Sequence, residues 1–175
     1  GRQGGGLYII RGHDNVQGAT DMGNLADTLS GYYGLDDNAW KYFATSWGVD
    51  YEWLKGRFFE KKWMNEKGYS LSKWYQGVLQ EEKTHSSAPI RAVWIQGTGI
   101  TSMSQQAKIK EALDKLDLVV IAEPFVNEAA VLTTRKDNMY ILPVGTQFES
   151  EGTVTATNRS SQWRSKVVEP LYESK

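Results

Sequence analysis

The pattern of apolar positions is most regular in the second half of the chain. Ile90, Ala92, Val93, Trp94 and Ile95 make a short apolar run that ends at Gly97, Thr98 and Gly99. Such a run predicts a buried strand entering a glycine turn. A helix is expected from about Ser104. Ile109, Leu113 and Leu116 recur at i, i+4 and i+7 with Ala112 beside them, while Lys108, Lys110, Glu111 and Asp114 take the opposite face. Ser102 or Ser104 would cap its free N–H groups. Leu118, Val119, Val120, Ile121 and Ala122 are continuous and rich in β-branched residues, the pattern of a strand buried on both faces. Strand, helix and strand in about 30 residues form a βαβ unit with a right-handed crossover. Met139, Tyr140, Ile141 and Leu142 predict a third strand closed by Pro143, and residues 153–156 a short fourth at an edge. The expected fold class is α/β: a three-layer αβα domain with a mainly parallel, Rossmann-like sheet.

Two further zones precede this one. Residues 35–89 are patterned for short helices. Asp37 or Asn38 would cap a helix through Trp40, Phe43 and Trp47 that Gly48 ends. Residues 51–64, with Gly56 inside them, predict a second helix, and residues 71–79 a third. Five of the seven tryptophans lie in this zone, and their density points to aromatic packing. Residues 1–34 hold nine of the 17 glycines and show little apolar periodicity. Only Leu7, Tyr8, Ile9 and Ile10 read as a strand there, one that would fix the root of Arg11. The three zones, 1–34, 35–89 and 90–175, are expected to form a single lobe.

Composition narrows the classes. With 175 residues, 40% of them apolar, one core can be filled. The 20 basic and 21 acidic side chains nearly cancel, which lacks the basic footprint of a nucleic-acid platform. No apolar run approaches the roughly 20 residues that span a bilayer. The chain has no cysteine, so it brings no thiolate to a metal or cluster. Its two histidines, His13 and His85, make a zinc or iron site built from this chain unexpected. It starts Gly1-Arg2 without a methionine or signal pattern, as a processed chain or a piece of a longer one would.

Candidate chemistry falls in three places. Gly97, Thr98 and Gly99 lie between a strand and a helix, where glycines admit a ligand and free N–H groups face an anion such as a diphosphate. Glu123 ends the next strand, where a dinucleotide-binding unit keeps its ribose-binding carboxylate. A plain βα turn with a surface glutamate accounts for the same residues. Arg11, His13, Asn15 and Gln17 bring hydrogen-bonding groups and one permanent charge into a glycine-rich stretch that either solvates or lines a site. Glu149, Glu151, Asn158 and Arg159 surround a turn in which Gly152 supplies a positive φ, either a surface loop or a ligand loop.

Taken together, these motifs resemble a known family. Gly4-Gly5-Gly6, then Arg11-Gly12-His13-Asp14-Asn15-Val16-Gln17-Gly18-Ala19-Thr20-Asp21-Met22-Gly23, then Leu29-Ser30-Gly31-Tyr32 resemble the catalytic subunits of formate dehydrogenases, with Ser30 where that family has proline. These are molybdopterin-guanine-dinucleotide oxidoreductases. The downstream order agrees: the loop at Gly97, the strand ending at Glu123, Leu142-Pro143, then Glu151-Gly152-Thr153-Val154-Thr155. The tail Asn158-Arg159-Ser160-Ser161-Gln162-Trp163-Arg164 is similar to the respiratory, membrane-associated branch.

The resemblance implies an enzyme several times longer, of which this chain is an internal piece. That enzyme oxidises formate to carbon dioxide at molybdenum or tungsten held by two molybdopterin guanine dinucleotides. Cysteine or selenocysteine ligates the metal, and a [4Fe-4S] cluster belongs to the parent chain without ligands from this piece. Arg11 would orient formate and His13 would lie by the pterin. Gly12, Asn15, Gln17, Gly97, Thr98, Gly99, Glu123 and Glu151 would contact the cofactor. The implied partners are the rest of the same subunit, iron–sulfur and membrane cytochrome subunits, and formate. No nucleic acid and no direct membrane insertion are expected, and the implied location is the periplasm. Alone, the piece is expected to be inactive and metal-free. Alternatives are a relative acting on nitrate or another oxyanion, a stand-alone nucleotide-binding module, or an interaction domain built on the tryptophan zone.

Overall fold

The computed structural model describes the chain except residues 8, 82–87, 127, 173 and 175. In chain order its helices and strands are α1 (Val16–Asp21), α2 (Asp37–Trp47), α3 (Tyr51–Lys55), α4 (Trp74–Leu79), β1 (Ala92–Gln96), α5 (Gln106–Lys115), β2 (Leu118–Glu123), α6 (Ala129–Leu132), β3 (Met139–Pro143), β4 (Gly152–Thr155) and β5 (Ser161–Arg164). Short 3-10 turns stand at Ser30–Tyr32, Lys61–Met64 and Ile100–Ser102.

β1, β2 and β3 form a parallel sheet in that order, with Ile95 opposite Ile121 and Ile121 opposite Ile141. The central position of β2 explains its unbroken apolar run: Val119, Val120, Ile121 and Ala122 are all buried. Parallel neighbours need a crossover, and α5 and α6 lie in the two connections. The chain is thus mixed α/β around a parallel sheet, consistent with an αβα domain.

Val119, Ile121 and Ile95 share a core with Ile109, Ala112, Leu113 and Leu116 of the α5 stripe and with Trp74 and Tyr75 of α4. Each large apolar side chain buried there stabilises the fold by about 1.5–3 kcal/mol. The row Trp94, Val120, Tyr140 lies on the other face, where Trp94 is 62% exposed and Tyr140 56%.

Polar groups fasten the connection to β3. Asp114 on α5 accepts hydrogen bonds from the Thr133 hydroxyl (2.6 Å), the Thr134 N–H (2.9 Å) and the Lys110 ammonium (2.9 Å). The Thr133 hydroxyl above all, with burial opposing, holds this carboxyl far below the usual carboxylate range. Arg135 donates to the carbonyls of Leu113, Leu116 and Asp117, closing the otherwise open end of α5.

Several elements differ from the sequence reading. Asp36, not Asp37 or Asn38, caps α2, accepting from the Asn38 and Ala39 N–H groups at 2.9 and 3.1 Å. The helix expected over 51–64 ends at Lys55, with Gly56 following it, and resumes only as the turn Lys61–Met64. Glycine's backbone entropy disfavours carrying the helix through that point. The helix expected over 71–79 starts at Trp74, and β1 is displaced two residues from the start of its apolar run. Neither Ser102 nor Ser104 caps α5. The Ser102 hydroxyl turns back to the Gly99 carbonyl at 2.7 Å, and Gln105, at φ 68°, precedes the helix.

Of the strand expected over 7–10, Tyr8 lies outside the described residues and Leu7, Ile9 and Ile10 belong to no strand: Leu7 and Ile10 are 91% and 86% exposed. Strand propensity is realised only against a partner edge. The fourth strand exists, but it is not an edge of the main sheet. β4 pairs antiparallel with β5 as a separate hairpin, Thr153 opposite Trp163, because a short turn closes at little entropic cost. No helix among the described residues is long and apolar enough to cross a membrane.

Candidate functional site

The candidate residues gather in two places. The first is built by the glycine-rich N-terminal stretch and the β4–β5 hairpin. Asn15 precedes α1 with a left-handed backbone, φ 57°, and its Oδ1 accepts the Thr155 N–H at 3.0 Å. That bond joins segments 140 residues apart. Gly18 permits the approach: a Cβ there would strike Asn15 Oδ1 and stand 3.0 Å from Thr155 Oγ1. Gln17, nearly buried, donates to Asp21 Oδ1 at 2.8 Å and to the Tyr32 hydroxyl at 3.1 Å. Thr20 meets the same Tyr32 hydroxyl at 2.9 Å. Asn15 and Gln17 therefore brace the wall of the site as well as facing it.

A cavity of about 290 Å3 opens between these segments, lined by Arg11, Gly12, His13, Asn15 and Gln17 on one side and by Thr155 and Gln162 among the residues opposite. Arg11 also borders a neighbouring space of about 400 Å3 that includes Leu7, Ile9, Gln17, Thr157, Asn158 and Arg159. The Arg11 Nε is buried and has no hydrogen-bond partner among the described residues. A buried guanidinium nitrogen left unpaired is costly in a finished structure. Asp14 lines this cavity too, so its donors and acceptors suit a polar, heteroatom-rich ligand, and the guanidinium fork of Arg11 suits a carboxylate or phosphate.

The second place is the carboxyl edge of the parallel sheet. Gly97 turns out of β1 at φ 60°, a left-handed conformation that glycine takes without a Cβ penalty. Its neighbour Thr98 donates its backbone N–H to Glu123 Oε1 at 2.8 Å. Gly97, Thr98 and Gly99 and the glutamate thus meet at the ends of neighbouring strands, the end at which open α/β sheets bind ligands. One oxygen of Glu123 is committed to shaping the loop. A cleft of about 630 Å3 runs from Thr98 and Trp94 to Tyr69 and to Asn24, Leu25 and Ala26, which follow α1. The chain leaving the first place therefore borders the second.

Glu151 joins neither group; it is exposed just before β4 and lines none of these cavities. The carboxylate that does work nearby is Glu149. It accepts the N–H groups of Thr146 (2.7 Å) and Leu171 (3.1 Å), and those bonds, Thr146 foremost, hold its carboxyl below the usual range. His85 lies outside the described residues. Sequence reasoning missed the bracing by Asp21, Tyr32 and Thr155. Asp21 stands four residues after Gln17, the spacing of a helical side-chain pair, so that contact was readable. Tyr32 and Thr155 are brought in by tertiary folding alone.

Residues 10–175 match a protein family described as molybdopterin oxidoreductase. The chain is 30% identical over its whole length to formate dehydrogenase H of Escherichia coli, covering 22% of that protein. It is also 30% identical over its whole length to a Bacillus subtilis protein named "Probable oxidoreductase YjgC", covering 16% of it. The chain thus spans less than a quarter of either curated relative.

Proposed function

The chain belongs to the molybdopterin oxidoreductase family, and from that premise we propose that it forms part of the catalytic subunit of a formate dehydrogenase. In this reading it cradles a molybdopterin guanine dinucleotide and presents Arg11 to formate. The observation that carries the proposal is Arg11 lining a cavity with His13, Asn15 and Gln17, its Nε without a hydrogen-bond partner among the described residues.

When bound, the molybdenum or tungsten pterin centre supplies the acceptor for the two electrons released as formate becomes carbon dioxide and a proton. This chain's own residues do the rest by position and charge. Formate is a small carboxylate without an apolar handle, so its binding rests on charge and hydrogen bonds. Arg11 offers both in a planar fork. His13, on the same cavity, presents ring nitrogens able to donate or accept beside the pterin. Asn15 and Gln17 hold the cavity wall in shape through Thr155 and Tyr32. Gly97, Thr98 and Gly99 bring backbone close to the dinucleotide, with Glu123 bracing the loop and offering its second oxygen to a sugar hydroxyl or base. The [4Fe-4S] cluster and the metal's thiolate or selenolate belong to the rest of the subunit. The tail motif at residues 158–164 extends the proposal to iron–sulfur and membrane cytochrome partners at a periplasmic site.

The test is kinetics of the full-length enzyme with Arg11→Ala and Arg11→Lys, cofactor content measured in each. Loss of a charge-assisted hydrogen bond is worth about 1.5–3 kcal/mol, so kcat/KM for formate should fall roughly 10- to 150-fold at full cofactor loading. Arg11→Lys should recover only part of it. Unchanged kcat/KM in a fully loaded Arg11→Ala enzyme rules out the substrate role.

A further inference from the structure

The space beside Arg11 holds a second guanidinium. Arg159, in the turn between β4 and β5, lines the same cavity of about 400 Å3, together with Gln17 and Asn158. We propose that Arg159 is a second anion-binding residue of this site, acting with Arg11 on one oxyanion. This rests on the reading of the site given above and adds to it a residue whose role neither the motif nor the cofactor requires.

Three observations bear on it. The first is restraint without saturation. Arg159 sits 5.8 Å from the centre of the Tyr32 ring, and its Nη2 is 3.6 Å from Asp21 Oδ1. That oxygen already accepts Gln17 Nε2 at 2.8 Å. The side chain is therefore oriented by a ring face and a loose ion pair, while its guanidinium makes no hydrogen bond among the described residues. Its N–H donors remain free for a ligand.

The second is the backbone. Arg159 has φ 64°, in the left-handed region. Its N–H bonds to the Ala156 carbonyl at 2.8 Å, and the Ala156 N–H bonds to the Ser160 carbonyl at 3.0 Å. In such a hairpin turn the left-handed position is one that glycine fills without strain. A long, β-carbon-bearing cation is a poor choice for folding there. That backbone makes glycine the replacement that removes the side chain while relieving the strain. The third is the partner. The cavity already carries Arg11, whose Nε is buried and has no hydrogen-bond partner among the described residues. Two guanidinium-bearing residues line this one space, and an oxyanion bound there can take hydrogen bonds from both. Asp21 flanks Arg159 from the side of α1 and is not among the residues lining this space.

The ligand chemistry is an oxyanion, either the substrate carboxylate or a phosphate of the cofactor. The backbone supplies an unusually clean variant. Arg159→Gly removes the guanidinium and relieves the strain, so a merely structural residue and a binding residue give opposite results. The experiment uses the full-length holoenzyme with Arg159→Gly and Arg159→Lys, and reads three quantities. These are thermal stability without added anion, the rise in Tm on adding sodium formate or sodium nitrate, and cofactor and metal content.

The expected result for Arg159→Gly is an unchanged or higher Tm without anion, a rise with formate that is lost, and a KM for formate raised about tenfold or more. Arg159→Lys should restore the anion response in part. Normal cofactor content with a lost anion response assigns the oxyanion as substrate, whereas cofactor content falling in step with activity assigns it as a cofactor phosphate. An Arg159→Gly enzyme with unchanged anion response, KM and cofactor content overturns the proposal. So does a Tm lowered without anion while those three stay normal, since Arg159 would then serve the hairpin alone. If the unaltered enzyme fails to oxidise formate, the formate dehydrogenase reading fails, and the nitrate-induced Tm change still decides Arg159.

Discussion

The hydrogen bond from Thr98 to Glu123 decides whether the glycine loop is shaped before any ligand arrives. The perturbation is Glu123→Ala. In the native structure the carboxylate accepts the Thr98 N–H at 2.8 Å in a partly buried setting, a charge-assisted bond at a loop that has left-handed Gly97 on its other side. Removing the acceptor leaves a partly buried donor unpaired and costs roughly 1.5–3 kcal/mol of local stability. Converted to an opening equilibrium, that is roughly 10- to 150-fold faster amide exchange over residues 97–99. Glu123→Gln keeps an oxygen acceptor and loses the charge. The remaining neutral bond is worth about 0.5–1.5 kcal/mol, so this variant should fall between the two. Hydrogen exchange read by mass spectrometry on the full-length enzyme measures both, with peptides from β3 as an internal control. The order Ala fastest, Gln intermediate and native slowest is expected. Exchange at residues 97–99 that is unchanged in Glu123→Ala refutes the reasoning and returns the glutamate to the surface. A loop left intact by Glu123→Gln, with reduced cofactor content, would isolate the ligand role of the second oxygen.

Three other perturbations have defined outcomes. Gly18→Ala should destabilise although alanine is the better helix former by about 1 kcal/mol, because its Cβ meets Asn15 Oδ1 and Thr155 Oγ1. Faster exchange of the Thr155 amide and lower cofactor loading are the readouts, and a more stable protein would contradict the packing. Asp114→Ala removes the acceptor for Thr133, Thr134 and Lys110 and should cost roughly 1.5–3 kcal/mol, seen as faster limited proteolysis between α6 and β3. Glu149 has a folded-state pKa below its ordinary value of 4.5, so its contribution is complete above about pH 4.5 and is lost as pH falls through the folded value. The segment at Leu171 should loosen on acidification in that range, while Val167 and Val168, bonded to the Phe148 carbonyl, stay in place. Glu149→Gln should abolish this dependence on pH, as followed by exchange of the Leu171 amide.

What the sequence by itself determined is local. The α5 stripe of Ile109, Leu113 and Leu116, the unbroken run of β2 and the closure of β3 at Pro143 are set by periods of 3.6 and 2, by burial on both faces, and by the missing N–H of proline. The Gly97 turn and the acidic end of β2 were legible for the same reason: each needs only its own residue type at the end of a strand. Arg11, His13, Asn15 and Gln17 could be named because a polar, glycine-rich stretch cannot build a core. Tertiary structure decided everything that depends on a partner. Leu7, Ile9 and Ile10 carry strand propensity and stay exposed, because no edge meets them among the described residues. Residues 153–156 form a strand but pair with the nearest segment in sequence rather than with the sheet. Glu149 holds the segment at Leu171, a contact set by the position of Leu171 in space. Arg159 lines one space with Arg11 in a fold where Asn15 reaches across 140 residues to Thr155 and ties the hairpin to α1. Periodicity and residue type record what a segment prefers; the free energy of a contact belongs to two segments, and one segment's sequence holds only half of it.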